Sequence, residues 1–137
     1  MSFSTLTSIL IVGFGSIGQR HLQIARELFP ESKIGILFHN KTNEIPNYAN
    51  EIFFSLSDAI QFKPQIAIVC SPAPTHFEIT TALVRKGIHV LIEKPLSNES
   101  KGLEDAMGLK SEEQSFINFL HSVGLSIFLC WYTIHLF

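Results

Sequence analysis

Three glycines, in the run Gly13-Phe14-Gly15-Ser16-Ile17-Gly18, follow directly on the apolar stretch Leu6 to Val12. A chain that turns sharply from a buried strand into a helix is eased by glycine at the turn, and Gly13 stands there. Gly15 removes the side chain where a pyrophosphate would meet the backbone, and Gly18 lets the helix lie close to the strand. An anion at this point meets unpaired helix N–H groups and the positive end of the helix dipole, so no lysine is required. The run lacks the G-K-[ST] ending of a P-loop, which argues against that alternative. The whole loop, Gly13, Phe14, Gly15, Ser16, Ile17 and Gly18, is therefore a candidate cradle for a dinucleotide pyrophosphate; the plainer alternative is a tight strand-to-helix turn.

About 20 residues on, at the end of the next strand, a site for NAD usually carries an acidic residue that accepts hydrogen bonds from the ribose diol. Here the sequence reads Phe38-His39-Asn40-Lys41. No carboxylate stands there to repel a 2′-phosphate, and His39 or Lys41 would attract one, with Asn40 between them. NADP is favoured over NAD on this ground; the alternative is that Lys41 is a solvated loop cation.

A third constellation, CSPAPTHFEITTALVRKGIHVLIEKPLS, occupies residues 70–97. Together with GFGSIGQRHL at 13–22, it resembles the N-terminal domain of the glucose-fructose oxidoreductase, inositol dehydrogenase and MocA family of NAD(P)-dependent oxidoreductases. The resemblance spans residue 6 to about Asp105. It implies that Ser71, Pro72, Thr75 and His76 line the cofactor, and that Glu93-Lys94-Pro95 lies at its nicotinamide end. It also implies a catalytic role for Lys94, which positions substrate and polarises the hydroxyl or carbonyl that exchanges hydride. An ammonium has the right chemistry to stabilise a developing alkoxide. A salt bridge from Lys94 to Glu93 or Glu99 is the alternative, as is a capping or packing role for His76.

The elements that must position these groups alternate along the chain. Leu6 to Val12 reads as a strand, and Ser16 to Phe29, closed by Pro30, as an amphipathic helix. Lys33 to Phe38 is a second strand, IFF at 52–54 a short third, and Ser57-Asp58 a cap for a helical turn through Phe62. Gln65 to Cys70 is a further strand stopped by Pro72 and Pro74. Thr75 to Lys86 reads as a helix ended by Gly87, and His89 to Ile92 as the last strand. Strands alternating with helices predict an α/β, doubly wound parallel sheet of the Rossmann type, with right-handed crossovers and helices on both faces. Its carboxyl strand ends at Gly13, Cys70 and Glu93 then converge on one crevice.

With 137 residues, 46% hydrophobic and 16% charged, the chain has material for about one domain with a packed core. The net charge is −2, and no basic patch supports nucleic-acid binding. Twelve phenylalanines read as core and not as a stacking surface. Cys70 and Cys130 suggest neither disulfide nor zinc site, and the histidines lack a second ligand at metal-binding spacing, so no metal is expected. The N-terminus lacks a signal-peptide pattern, which makes the cytoplasm the default location. Self-association is left open.

All 22 charged side chains fall within residues 1–113. Residues 1–110 are read as the dinucleotide-binding domain and 111–137 as an atypical apolar tail. Of the 22 residues 116–137, 15 are apolar, and as a helix they would reach about 33 Å, enough for a bilayer core. Asn118, His121, Gly124 and His135 interrupt that run, and no basic cluster follows it, which argues against a span. The resemblance implies a following α+β substrate domain, and the chain after Asp105 does not continue its pattern. Truncation or a change of reading frame near 105–110 is the expected reason. The function expected is then that of the NAD(P)-binding part of an oxidoreductase for a sugar-type or polyol-type substrate. The alternatives are a non-catalytic nucleotide-binding module and a membrane-tethered binding protein.

Overall fold

A computed structural model of the chain describes residues 6–42 and 44–93. Along them run β1 (Ser8–Val12), α1 (Ser16–Leu28), β2 (Lys33–Leu37), β3 (Glu51–Phe53), α2 (Leu56–Gln61), β4 (Ile66–Val69), α3 (Ala73–Arg85) and β5 (His89–Ile92). The strands form one sheet in the order β3-β2-β1-β4-β5, and every pairing is parallel. Strand order runs outward from β1 through β2 to β3 on one side and through β4 to β5 on the other. The point of reversal lies between β1 and β4, and in open sheets of this kind ligands bind there, beyond the carboxyl ends.

The central strands are apolar without interruption because both of their faces are buried. In β1, Leu10 and Val12 join a core with Ala59 of α2 and Leu83 of α3, whereas Ile9 and Ile11 join the opposite core with Leu22 and Ala25 of α1. Alternation along one strand thus feeds two layers of helices. Ile9, Leu10, Ile11, Ile34 and Ile36 are all at most 2% exposed, and each such side chain contributes roughly 1.5–3 kcal/mol relative to exposure. Arg26, in the last turn of α1, secures the far end of the helix through hydrogen bonds to the carbonyls of Pro30, Ser32 and Tyr48 and to Asn50 Oδ1.

The expected α/β sheet of the Rossmann type is present, with helices on both faces; the differences are local. β1 starts at Ser8 and not at Leu6, and β3 covers Glu51–Phe53 instead of 52–54. The cap of α2 is Ser55, not Ser57-Asp58: Ser55 Oγ accepts from the Asp58 amide at 3.1 Å and donates to Asp58 Oδ2 at 2.7 Å. α3 starts at Ala73, before the expected Thr75, because Pro74 falls in the first turn, where its missing N–H costs nothing. Gly87 closes that helix with φ of 73°, as expected.

None of the described helices is long and apolar enough to cross a membrane. Lys94, Pro95, Cys130, the domain boundary at 110 and the tail lie outside the described residues.

Candidate functional site

The turn from β1 into α1 is shaped by contacts with the neighbouring strand ends. Gly13 has φ of +89°, its amide donates to the Leu37 carbonyl at 2.9 Å, and a β-carbon on it would lie 2.8 Å from the Ser71 amide nitrogen. Left-handed backbone and lack of space both require glycine there. At Gly18 a β-carbon would come within 2.3 Å of the Gly13 carbonyl oxygen, so only glycine lets α1 sit this close to the turn. Gly15 is different. Its backbone is extended, with φ of −77° and ψ of −165°, which any residue adopts, and a β-carbon there would meet nothing within 4 Å. No packing within the described residues demands a glycine at position 15.

The open space before Gly15 belongs to a cavity of about 670 Å³ at the carboxyl ends of β1, β2 and β4. Gly13, Phe14, Gly15, Ser16 and Ile17 form its floor, His39 and Asn40 one side, and Ser71, Pro72 and Thr75 the other, so ten of the residues expected from sequence come together. Gly15 is the N-cap of α1 and offers no side chain to cap it, and the first turn carries no acidic residue. The first amides of α1 have no upstream carbonyl within the helix, and they face the cavity with the positive end of the dipole. α3 also begins at this cavity, behind Ser71 and Pro72, with no acidic residue in its first turn and no side-chain cap. Thr75 Oγ1 lies 2.8 Å from the Pro72 carbonyl and 2.9 Å from Ser71 Oγ, which holds that corner closed.

Four of the remaining expected residues are placed off the cavity lining. Gly18 lies beneath the floor. Lys41 is exposed beyond Asn40. His76 is buried against the sheet at 2% exposure, and its Nε2 donates to the Ser71 carbonyl, so it supports the cavity corner from behind. Glu93 follows β5, and its carboxylate turns toward α1, where His21 Nε2 donates to Oε1 at 2.5 Å. Among the described residues no group of three His, Cys, Asp or Glu side chains is arranged to hold a metal.

Sequence reasoning placed Phe14 in the glycine loop but missed Phe38 and Phe54, which extend it into an aromatic side of the cavity. Ring centroids are 5.1 Å apart for Phe14 and Phe38 and 6.4 Å for Phe38 and Phe54. Phe38 and Phe54 are not simply core; Phe54 is 44% exposed. The signal was available, since Phe38 and Phe54 each follow a strand end. Leu56, Cys70 and Ile79 complete the apolar lining.

A nicotinamide dinucleotide fits this arrangement. The glycine loop and the amides of α1 suit its pyrophosphate, the His39-Asn40 side and the aromatic wall suit its adenosine half, and the Ser71–Thr75 corner lies toward β4 for the other half.

Residues 7–118 match the sequence model of the oxidoreductase family described as having an NAD-binding Rossmann fold. The match runs past Asp105, where the motif-level resemblance stops, into the first residues of the apolar segment. The UDP-N-acetylglucosamine 3-dehydrogenase of Acidithiobacillus ferrooxidans is 24% identical over 105 residues, 74% of this chain and 33% of that protein. The dehydrogenase MviM from Clostridium difficile superposes with a TM-score of 0.65 at 25% identity, over 79% of this chain and 36% of its own. The WlbA dehydrogenase from Bordetella pertussis, solved with NADH and UDP-GlcNAcA, superposes with a TM-score of 0.60 at 20% identity, over 87% and 34%. The chain thus spans about a third of the length of these relatives.

Proposed function

This chain belongs to the Gfo/Idh/MocA oxidoreductase family with its NAD-binding Rossmann fold, and from that premise we propose that it holds the cofactor for hydride transfer to or from a sugar-type or polyol-type substrate. When bound, the nicotinamide supplies the hydride chemistry. The chain's residues 13–18 cradle the pyrophosphate, His39 and Asn40 face the adenosine ribose, and Ser71, Pro72 and Thr75 border the nicotinamide half. Lys94, the residue after Glu93, polarises the reacting oxygen. The names of two similar proteins, one a UDP-N-acetylglucosamine dehydrogenase and one solved with UDP-GlcNAcA, support a hydroxylated sugar as substrate class.

The observation that carries the reading is Gly15, a glycine in ordinary extended backbone with open space before it. A ligand approaching the backbone explains that residue type; protein packing does not. Gly15→Val fills that space without touching the fold, so calorimetry on folded Gly15→Val should show NAD(P)H binding abolished. Retained affinity in that variant refutes the reading.

The finer preference is for NADP over NAD. No carboxylate lines the His39-Asn40 side, and Lys41 stands exposed just beyond it, within reach of a 2′-phosphate. Competition between NADPH and NADH for the wild-type chain tests this directly. Residues 1–110 are the dinucleotide domain in this reading, and the cytoplasm is its location.

A further inference from the structure

We propose that His21 is a positioning residue for the nicotinamide half of the bound dinucleotide, acting through Glu93; this rests on the reading of the cavity as an NAD(P) site. His21 lies on α1, one turn beyond Gly18, and Glu93 is the residue that leaves β5. They are 72 positions apart in the chain, yet His21 Nε2 donates to Glu93 Oε1 at 2.5 Å, with side chains only 16% and 14% exposed. A hydrogen bond to a largely buried carboxylate is among the stiffer side-chain contacts available.

The geometry gives this contact a task. α1 presents its first amides to the cavity at the glycine loop, and in the order β3-β2-β1-β4-β5 the adenosine half of a dinucleotide lies toward β2. The other half then runs toward β4 and β5. β5 stands two strand spacings from β1, about 10 Å, on that side. The backbone of Glu93 is fixed by its amide, which donates to the Val69 carbonyl at 3.0 Å, and its side chain is fixed to α1 by His21. Two anchors on different elements hold Glu93 in place relative to the glycine loop. The next residue is Lys94. His21 therefore ties the element that faces the pyrophosphate to the strand end that borders the nicotinamide, and touches neither.

The test compares NADH with ADP-ribose, which keeps the pyrophosphate and adenosine but lacks nicotinamide, on the full chain. Wild type should bind NADH more tightly than ADP-ribose and shift the nicotinamide emission to shorter wavelength. His21→Phe should lose about tenfold in NADH affinity, together with the emission shift, while its ADP-ribose affinity stays within about twofold. His21→Gln, which still offers an N–H to the carboxylate, should recover most of both signals, and Glu93→Leu should reproduce His21→Phe. If His21→Phe does not fold, by far-ultraviolet circular dichroism, the comparison of Glu93→Leu with wild type decides. Equal losses for NADH and ADP-ribose would make the pair merely structural and overturn the proposal, as would wild-type behaviour in His21→Phe or Glu93→Leu. A wild type that binds neither compound refutes the NAD(P) reading itself; one that binds both equally overturns the proposal and leaves that reading standing.

Discussion

The β-carbon position of Gly18 lies 2.3 Å from the carbonyl oxygen of Gly13, a separation no side chain tolerates. Helix α1 therefore meets the turn before it in direct backbone contact. Gly18→Ala should destabilise the fold by about 1–3 kcal/mol, the range for forcing extra volume into packed structure. Gly15→Ala has no such clash, and in extended backbone it should leave stability unchanged or raise it by roughly 0.4–1 kcal/mol while weakening dinucleotide binding. Urea denaturation and calorimetry on the two variants separate fold from ligand. A Gly15→Ala protein as unstable as Gly18→Ala contradicts this division.

Thr80 is 4% exposed, and its hydroxyl has no hydrogen-bond partner among the described residues. A buried hydroxyl without a partner carries a desolvation cost, and valine has nearly the same shape without it. Thr80→Val should raise stability by about 1 kcal/mol. Lower stability in a denaturation series would show that the hydroxyl is satisfied.

Ser55 closes the amino end of α2 through the Asp58 amide. Replacing it with alanine should cost about 0.5–2 kcal/mol of stability. The loss should appear in the urea midpoint and leave the slope of the transition unchanged, because the cap adds no buried surface of consequence.

Lys94→Met should leave dinucleotide affinity within about twofold, because the pyrophosphate contributes the dominant backbone contacts through the glycine loop. In a form joined to a substrate-binding domain, turnover should fall by about a hundredfold or more, the scale for losing one positioned electrostatic group. Equal turnover in mutant and wild type assigns Lys94 to structure only.

Residues 1–137 alone should show no dehydrogenase turnover with sugars or polyols, since gripping a substrate at attack distance contributes roughly 7–11 kcal/mol and needs a surface built for it. Deleting the residues beyond the family match, 119–137, should improve solubility, because an uncharged segment rich in apolar side chains promotes association. Side-by-side purification of 1–118 and 1–137, with NADPH oxidation and light scattering, checks both. Turnover that depends on the tail would refute the expectation.

The elements that build the dinucleotide cradle were legible because their signals are local. An apolar run, a glycine turn and an amphipathic stretch sit side by side between residues 6 and 29, and the strand His89–Ile92 is bounded by its own glycine and charges. Whatever depends on two distant strand ends meeting was settled only in three dimensions. Gly13 must be glycine partly because Ser71 arrives beside it, and only the fold shows that the space before Gly15, which the motif already marked for a pyrophosphate, is empty of protein. His76 belongs to a helix face turned toward the sheet, so its ring reaches the Ser71 carbonyl from behind instead of the cavity. Phe38 and Phe54, which read as core, line a cavity wall beside Phe14 because the turns after β1, β2 and β3 converge there. His21 and Glu93 have no spacing that announces them. A parallel sheet joins residues through crossovers of variable length, so sequence patterns specify its strands and turns, while side-chain partners across α1, β4 and β5 follow from strand order and helix placement alone.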